Sequence, residues 1–258
     1  MAAVDPVDAR HALLGGLIDH APTFPPAELP LAEALADHAA ARAGDTAWMA
    51  NRFVVRASQL VDLPAEDPPR LSVVLDMDLD EFASTAGPVV EALIDDPRIE
   101  ALELTAADAT EQEGLSLGYD VFVEVPAGAE LTPAGGGWHA KVRCGGAQVP
   151  TVDELAVFIR ACKQGVAFKA TAGLHHAVRT GHEHGLCNLF AAVLFDDEEA
   201  ALAETDPDAF WLTGTEFGWR NHIASTDEIA AVRRRLFLSV GSCSFTEPVD
   251  ELRALGLL

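Results

Sequence analysis

The three lysines are the residues whose type and position most strongly suggest chemistry. Seventeen basic side chains comprise fourteen arginines and only Lys141, Lys163 and Lys169. Lys163 ends a predicted helix, whereas Lys141 and Lys169 lie inside apolar runs typical of strands. Lysine is almost never buried unless it is paired. Its amine can form a Schiff base with a carbonyl compound, which arginine cannot do, so the pattern favours imine chemistry.

Alternation along the strands predicts that both lysines share one site. Lys141 and Arg143 have the same parity and therefore point to the same side of one strand. Lys169 and Thr171 do the same on the next strand. Adjacent parallel strands would bring these side chains together at the carboxyl-end mouth of a barrel, where barrel enzymes place their catalytic groups.

Two glutamates in neighbouring predicted strands could balance the lysines. Glu103 and Glu124 could supply counter-charge, and either could act as a general acid or base. The same residues also fit a structural ion cluster without catalytic purpose, and that alternative stays open.

Four of the nine histidines follow the strand of Lys169 within ten residues: His175, His176, His182 and His184. We expect His175 to act in catalysis as a proton carrier and His176 to contact the substrate. Zinc binding by the same cluster is the alternative, although adjacent His175 and His176 could not easily share one metal.

Glycine-rich ends of the last two predicted strands could hold an anion. Residues 171–173 and 241–244 follow these two strands, at positions where barrels often bind phosphate. Backbone N–H groups and hydroxyls, such as that of Ser242, would hold the anion. Arg143 would strengthen such a site, and Glu247 would weaken it. Cys144 and Cys243 also end strands, and a cysteine nucleophile beside His175 or His176 is an alternative to a small buried side chain.

Eight short runs, nearly continuous in apolar character, predict strands covered on both faces. These runs are Leu13–His20, Arg52–Ala57, Leu71–Met77, Ile99–Leu104, Asp120–Val125, His139–Cys144, Val166–Ala172 and Leu236–Val240. Helical patterns lie between many of them, at Pro30–Ala43, Asp80–Ile94, Thr151–Cys162 and Thr226–Leu236. The sequence therefore predicts an α/β fold, a single (β/α)8 TIM-type barrel spanning residues 1–258 as one domain, with a doubly wound open sheet as the rival.

An extra hairpin or flap before the last predicted helix is indicated at Phe210–Asn221. This segment carries Trp211 and Trp219, and long connections are commonly lids. We expect one indole to cover the mouth and Arg220 to face an anionic end of the substrate. Alternatively, both indoles pack on the outside as hydrophobic anchors.

The acidic composition limits the classes of partner. The 258 residues include 41 acidic and 17 basic side chains, giving a net charge of −24. A field of this sign repels phosphate backbones and anionic lipid, so we expect no nucleic-acid or membrane-surface binding. No apolar run approaches the roughly 20 residues that span a bilayer, no secretory signal is expected, and four cysteines without CxxC spacing predict free thiols. We expect a cytoplasmic protein with a small-molecule substrate and no cofactor; homo-oligomerisation stays open.

The two lysine segments resemble the class I (Schiff-base) aldolase barrels, particularly the deoxyribose-phosphate aldolase family. The matching segments are Lys141-Val-Arg-Cys-Gly-Gly and Lys169-Ala-Thr-Ala-Gly. The resemblance implies that one lysine, on strand six, forms the imine and that a second, on strand seven, perturbs it. Because Lys169-Ala-Thr-Ala-Gly is the more similar to the strand-six motif, the resemblance leaves open which lysine is the nucleophile.

A wider resemblance extends over nearly the whole chain. Leu17-Ile-Asp-His-Ala, Lys169-Ala-Thr-Ala-Gly-Leu-His-His and Gly241-Ser-Cys-Ser-Phe are similar to segments of a group of bacterial proteins of unassigned function. It implies one intact domain and no particular activity.

The sequence thus favours a cofactor-independent lyase of aldolase type, acting on a small carbonyl substrate that could carry phosphate or carboxylate. The alternatives are a metal-dependent hydrolase or isomerase built on the His175–His184 cluster, and a non-enzymatic barrel that binds a small molecule. The predicted catalytic residues are Lys141, Lys169, Glu124 and His175. The predicted substrate-binding residues are Arg143, Glu103, Thr171, His176, Ser242 and Arg220.

Overall fold

Eight parallel strands close into a barrel in the computed structural model, which describes residues 8–65, 70–76, 96–105, 119–129, 131, 138–146 and 149–258. The strands follow chain order around the barrel, and the last one pairs with both the first and the seventh. They are β1 (Ile18–His20), β2 (Ala50–Arg56), β3 (Leu71–Val74), β4 (Ile99–Thr105), β5 (Asp120–Glu124), β6 (Trp138–Arg143), β7 (Phe168–Thr171) and β11 (Phe237–Ser242). The predicted (β/α)8 barrel is confirmed, and the open sheet is excluded.

Seven α-helices lie in the described part of the chain. They are α1 (Ala9–Leu14), α2 (Leu31–Ala43), α3 (Val152–Cys162), α4 (Leu186–Leu194), α5 (Glu198–Ala203), α6 (Thr226–Arg235) and α7 (Thr246–Ala254), with short 3-10 turns at Ala47–Met49, Ala57–Asp62 and Pro207–Ala209. The predicted helix Asp80–Ile94 falls outside the described residues. Of the helices described, none has both the length and the apolar character needed to cross a membrane.

Side-chain caps fix the starts of the two helices that flank the last barrel strands. The hydroxyl of Thr151 accepts from the backbone N–H of Glu154, whose carboxylate returns to the N–H of Thr151. Ser225 and Glu228 form the same reciprocal pair at the start of α6. These capping boxes satisfy backbone donors that a helix start leaves free, which is why the predicted starts of α3 and α6 are confirmed.

The prediction for the first strand was wrong at its beginning. Leu13 and Leu14 belong to helix α1, which starts where the Asp8 carboxylate accepts from the N–H of Arg10. Gly16, with a φ of 53°, then turns the chain into β1 at Ile18. A helix of six residues shows too few apolar turns to be distinguished from a strand by its pattern. Helices α4, α5 and α7 were not among the predicted helical segments either.

The predicted extra hairpin is confirmed and is larger than expected. It is a three-stranded antiparallel sheet of β8 (Phe210–Leu212), β9 (Glu216–Trp219) and β10 (His222–Ser225), inserted between α5 and α6. Trp219 is fully buried and stacks on Phe195 and His222. Trp211 packs against Gly218 of the neighbouring strand, where a Cβ would lie 2.0 Å from the indole.

The lid prediction for this sheet was therefore wrong. Neither tryptophan lines the cavity at the barrel mouth described below, and Arg220 pairs with Glu204 at 2.6 Å while its guanidinium stacks over Trp219. The indoles act as hydrophobic anchors, the alternative weighed above. Packing a large aromatic ring against other side chains stabilises the fold more than placing it over a solvent-filled opening.

Helix α2 covers the outside of β1 through a buried pair of histidines. The Nδ1 atoms of His20 on β1 and His38 on α2 lie 3.4 Å apart, and both rings are buried. Burial lowers the pKa of His20 to about 4. The folded protein therefore holds His20 neutral at pH values where the unfolded chain would protonate it.

We predict that this histidine makes folding sensitive to mild acid. In the unfolded chain His20 binds a proton with a pKa near 6.5. The contribution of His20 should therefore lower the free energy of unfolding by about 3 kcal/mol as the pH falls from about 6.5 to about 4. Urea unfolding across this range should show a shallower pH dependence in His20→Asn than in the parent. His182→Asn, at an exposed position, should keep the parental slope; an unchanged slope in His20→Asn would contradict the prediction.

Candidate active site

A cavity of about 150 Å3 opens at the carboxyl ends of the barrel strands. A cavity of this size holds a molecule as large as benzene. Both lysines of the barrel strands line it. The other lining residues are Ala21, Phe24, Pro25, Val54, Val74, Glu103, Glu124, Arg143, Thr171, Ala172, His175, Gly241, Ser242 and Cys243.

The floor of the cavity is an ion network around Lys169. Its Nζ lies 2.6 Å from Asp19 Oδ2 on β1 and 2.7 Å from Glu103 Oε1 on β4. All three side chains are buried, and Nζ also lies 5.2 Å from the centre of the Phe122 ring. Burial alone would lower the pKa of Lys169, but the two carboxylates outweigh it and raise that pKa. Lys169 is therefore a fixed cation.

Glu103 joins the two lysines. Its Oε1 accepts from Lys169, and its Oε2 accepts from Lys141 Nζ at 3.2 Å. Burial would raise the pKa of this carboxyl, but the two ammonium groups together hold it well below its usual range. Glu103 is thus an anion shared by two cations, and it fixes the position of both.

Lys141 has a second carboxylate on its solvent side. Its Nζ lies 2.9 Å from Glu124 Oε2, and the side chain of Glu124 is 31% exposed whereas that of Lys169 is 1% exposed. In the sheet register Lys141 stands directly between Glu124 and Lys169. Lys141 is therefore the lysine with a proton acceptor open to the mouth.

Hydroxyl and amide donors satisfy the remaining lone pairs of the buried carboxylates. Ser72 donates to Glu103 at 2.7 Å, Ser239 donates to Asp19 at 2.8 Å, and Asn51 donates to the other oxygen of Asp19 at 2.7 Å. A buried carboxylate remains stable only when such partners replace water. With Lys141, Lys169 and Glu124, the network draws side chains from all eight barrel strands, which makes it rigid.

The loops after β6 and β7 touch each other above the lysines. A Cβ on Gly145 would lie 2.4 Å from the Cα of Gly173, so these two positions need glycine for the backbones to meet. Ala172, the residue before Gly173, lines the cavity. Its φ of 60° is a conformation that is unfavourable for alanine. Gly173, in one of the two loops predicted to hold an anion, therefore serves loop packing.

Arg143 is the free cation of the rim. It is exposed and lines the cavity, and its side chain makes no hydrogen bond or ion pair with the described residues. Together with Glu124 it also lines a wider adjoining cleft. Thr171 on β7 is the direct register neighbour of Arg143 on β6, and Ser242 lies one strand further round the barrel, on β11. The rim can therefore hold an anionic group on one side.

The histidines do not form a single cluster. His175 lines the cavity, His176 lies between Glu183 and Glu251 at 2.9 and 2.7 Å, and His184 is buried 2.8 Å from the carbonyl of Pro150. Within the ranges that the structure covers, no three His, Cys, Asp or Glu side chains are grouped to hold a metal. The geometry gives the zinc alternative no support.

Eight of the ten predicted site residues line one cavity. The two that do not are His176, which pairs with carboxylates, and Arg220, which pairs with Glu204 in the extra sheet. Asp19, Asn51, Ser72 and Ser239 were not predicted as parts of the ion network. Asp19 lies in a strand of three residues, where alternation gives almost no signal.

Searches against models of protein families, curated proteins and solved structures gave no match. The site must therefore be interpreted from its own geometry.

We predict that removal of the buried ammonium group is far more damaging than removal of a surface cation. Lys169→Met would leave buried Asp19 without its ion-pair partner and Glu103 with Lys141 alone, which should cost about 3–5 kcal/mol of the free energy of unfolding. Chemical denaturation should show this loss, whereas Arg234→Met, at an exposed position of α6, should change stability by less than about 0.5 kcal/mol. A loss below about 1 kcal/mol in Lys169→Met would mean that the network is not held by its charges.

Proposed function

We propose that the protein is a lyase of aldolase type in which Lys141 forms a Schiff base with a small carbonyl substrate. The observation that carries the proposal is the position of Lys141 between two carboxylates, one buried and one open to the cavity. Glu103 holds its Nζ at 3.2 Å and Glu124 lies at 2.9 Å. A lysine nucleophile needs a nearby base to take its proton and a fixed orientation toward the substrate.

The proposed reaction begins with transfer of a proton from Lys141 to Glu124. The neutral amine attacks the carbonyl carbon, and Glu124 then returns the proton to the carbinolamine oxygen, which leaves as water. The β-hydroxyl of the substrate then gives its proton to Glu124, the carbon–carbon bond breaks to release an aldehyde, and the electron pair of that bond passes to the iminium ion, which becomes an enamine. Protonation of the enamine carbon and hydrolysis of the imine release the product and regenerate Lys141.

Lys169 supplies electrostatics in this proposal, because its ammonium group is fully enclosed by Asp19 and Glu103. Its fixed charge offsets that of Glu103 and so reduces the pull of Glu103 on the Lys141 proton. With Lys169 as the fixed cation, the geometry favours Lys141 as the nucleophile. This assignment agrees with the strand order that the aldolase resemblance implies.

Cavity size and rim charge suggest the class of substrate. A volume of about 150 Å3 fits a carbonyl compound of a few carbon atoms. Arg143 could pair with a carboxylate or phosphate on such a compound, since a free guanidinium binds either group through two parallel hydrogen bonds. His175 lines the same space and could carry protons to the bond that breaks.

The proposal predicts that reduction will trap an adduct on Lys141. The native protein is incubated with acetaldehyde, dihydroxyacetone or pyruvate in the presence of cyanoborohydride, which reduces iminium ions. Because the chain has only three lysines, peptide mass spectrometry can compare them directly. Lys141 should be modified at least tenfold faster than Lys163 with one or more of the probes, as expected for an activated amine.

Lys141→Arg should lose this adduct while Lys163 keeps its background rate. Equal modification of all three lysines, or faster modification of Lys163 or Lys169, would overturn the proposal. If Lys141 is modified no faster than Lys163 with any of the three probes, that result would count against imine chemistry at this site.

A second prediction concerns Glu124 as the base. Exchange of the α-protons of the best probe with deuterium, followed by NMR, reports imine and enamine formation without a known substrate. Glu124→Gln should slow this exchange by about 10²–10⁴-fold, the usual contribution of a general base. Its stability should change little, because Glu124 is partly exposed and Lys141 keeps Glu103. Glu33→Gln, on an exposed turn of α2, should exchange at the parental rate; a parental rate in Glu124→Gln would remove Glu124 from the mechanism.

A further inference from the structure

Three side chains beside the lysine site form a second reactive group. Cys243 follows β11, His175 lies in the loop after β7, and Glu247 lies in the first turn of α7. Cys243 Sγ is 3.9 Å from His175 Nε2, and His175 Nδ1 is 2.7 Å from Glu247 Oε2. A thiol, an imidazole and a carboxylate thus stand in line at the mouth.

The surroundings of Cys243 differ from those of the other cysteines. Cys144, Cys162 and Cys187 are packed among apolar side chains, and burial raises the pKa of each of these thiols. Cys243 is also buried, with 9% of its surface exposed, but it lines the cavity and contacts an imidazole. A thiol reacts as its thiolate, and a neighbouring imidazole together with access for the reagent are what distinguish a reactive cysteine from a structural one.

His175 is placed to hold the proton of that thiol. The contact with Cys243, and then the charge of Glu247, raise the pKa of His175 to about 8 against the opposing effect of burial. Glu247 lies on the far side of the ring from the sulfur, so the carboxylate can stabilise the imidazolium that forms.

We propose that Cys243 is a nucleophilic thiol and a site of covalent modification by small electrophiles that enter the cavity. The thiol proton moves to His175 Nε2, and the sulfur electron pair forms a bond to the electrophilic carbon. The leaving group departs with the electron pair of its own bond to that carbon. An adduct on Cys243 would occupy the cavity that Lys141 also lines. The proposal does not depend on imine chemistry at Lys141.

Iodoacetamide tests this assignment on the native full-length chain. After brief labelling near neutral pH, peptide mass spectrometry gives the alkylation rate of each of the four cysteines. Cys243 should react at least tenfold faster than the other three, and in urea all four should react at similar rates. His175→Asn should slow Cys243 about tenfold, and Glu247→Gln should slow it by a smaller factor. His182→Asn, in the same loop and exposed, should leave the rate unchanged.

The outcomes separate the proposal from the alternatives. A rate at Cys243 no higher than at Cys144 or Cys187 overturns it. Rapid labelling that neither His175→Asn nor Glu247→Gln slows shows mere exposure of the sulfur and overturns it as well. Because the Glu247 side chain is largely exposed, its variant keeps the test decisive if His175→Asn fails to fold. The alkylation is measured on cysteine peptides and without a carbonyl probe, so failure of the lyase proposal would be seen separately.

Discussion

The carboxylate of Glu103 determines the architecture of the barrel interior, because it binds two lysines at once. Each ion in a barrel interior loses water, and that loss is repaid only when every charge meets a partner at hydrogen-bond distance. Glu103 meets Lys141 and Lys169 with one oxygen each, and Ser72 fills a further acceptor site. These contacts come from four different strands, so the network also fixes how the strands are aligned.

The network has a closed inner end and an open outer end. Around Lys169 the charges are balanced and shielded from solvent, and Asn51 and Ser239 hold Asp19 in place. Beyond Lys141 the next carboxylate, Glu124, reaches the cavity. A rigid inner layer therefore supports a polar group that can exchange a proton with a bound molecule. This preorganisation lets charges stabilise a reaction without reorganising first.

Local sequence patterns predicted the parts of the site that depend on strand alternation and failed where distant contacts decide. Lysine scarcity and parity placed Lys141 and Lys169 correctly, because both follow from single strands. Asp19 was missed because its role arises when β1 meets β11 across the closed barrel. The lid was predicted from the composition of the extra sheet. Trp219 instead stacks on Phe195, which lies outside that sheet, and the sequence does not reveal this contact. Helices α3 and α6 were predicted well because their caps are local.

The cavity itself argues against a purely structural ion cluster. Barrel interiors are normally filled by layers of apolar side chains, and replacing a buried ion network by such layers often increases stability. Here the lysines line a cavity, Ala172 is held in an unfavourable conformation, and the side chain of Arg143 stands at the rim without a partner among the described residues. Each feature costs stability or leaves a charge unused in the free protein. In the proposed function, a carbonyl compound with an anionic end would fill this space and pair with Arg143, so a binding role accounts for features that a structural ion cluster leaves unexplained.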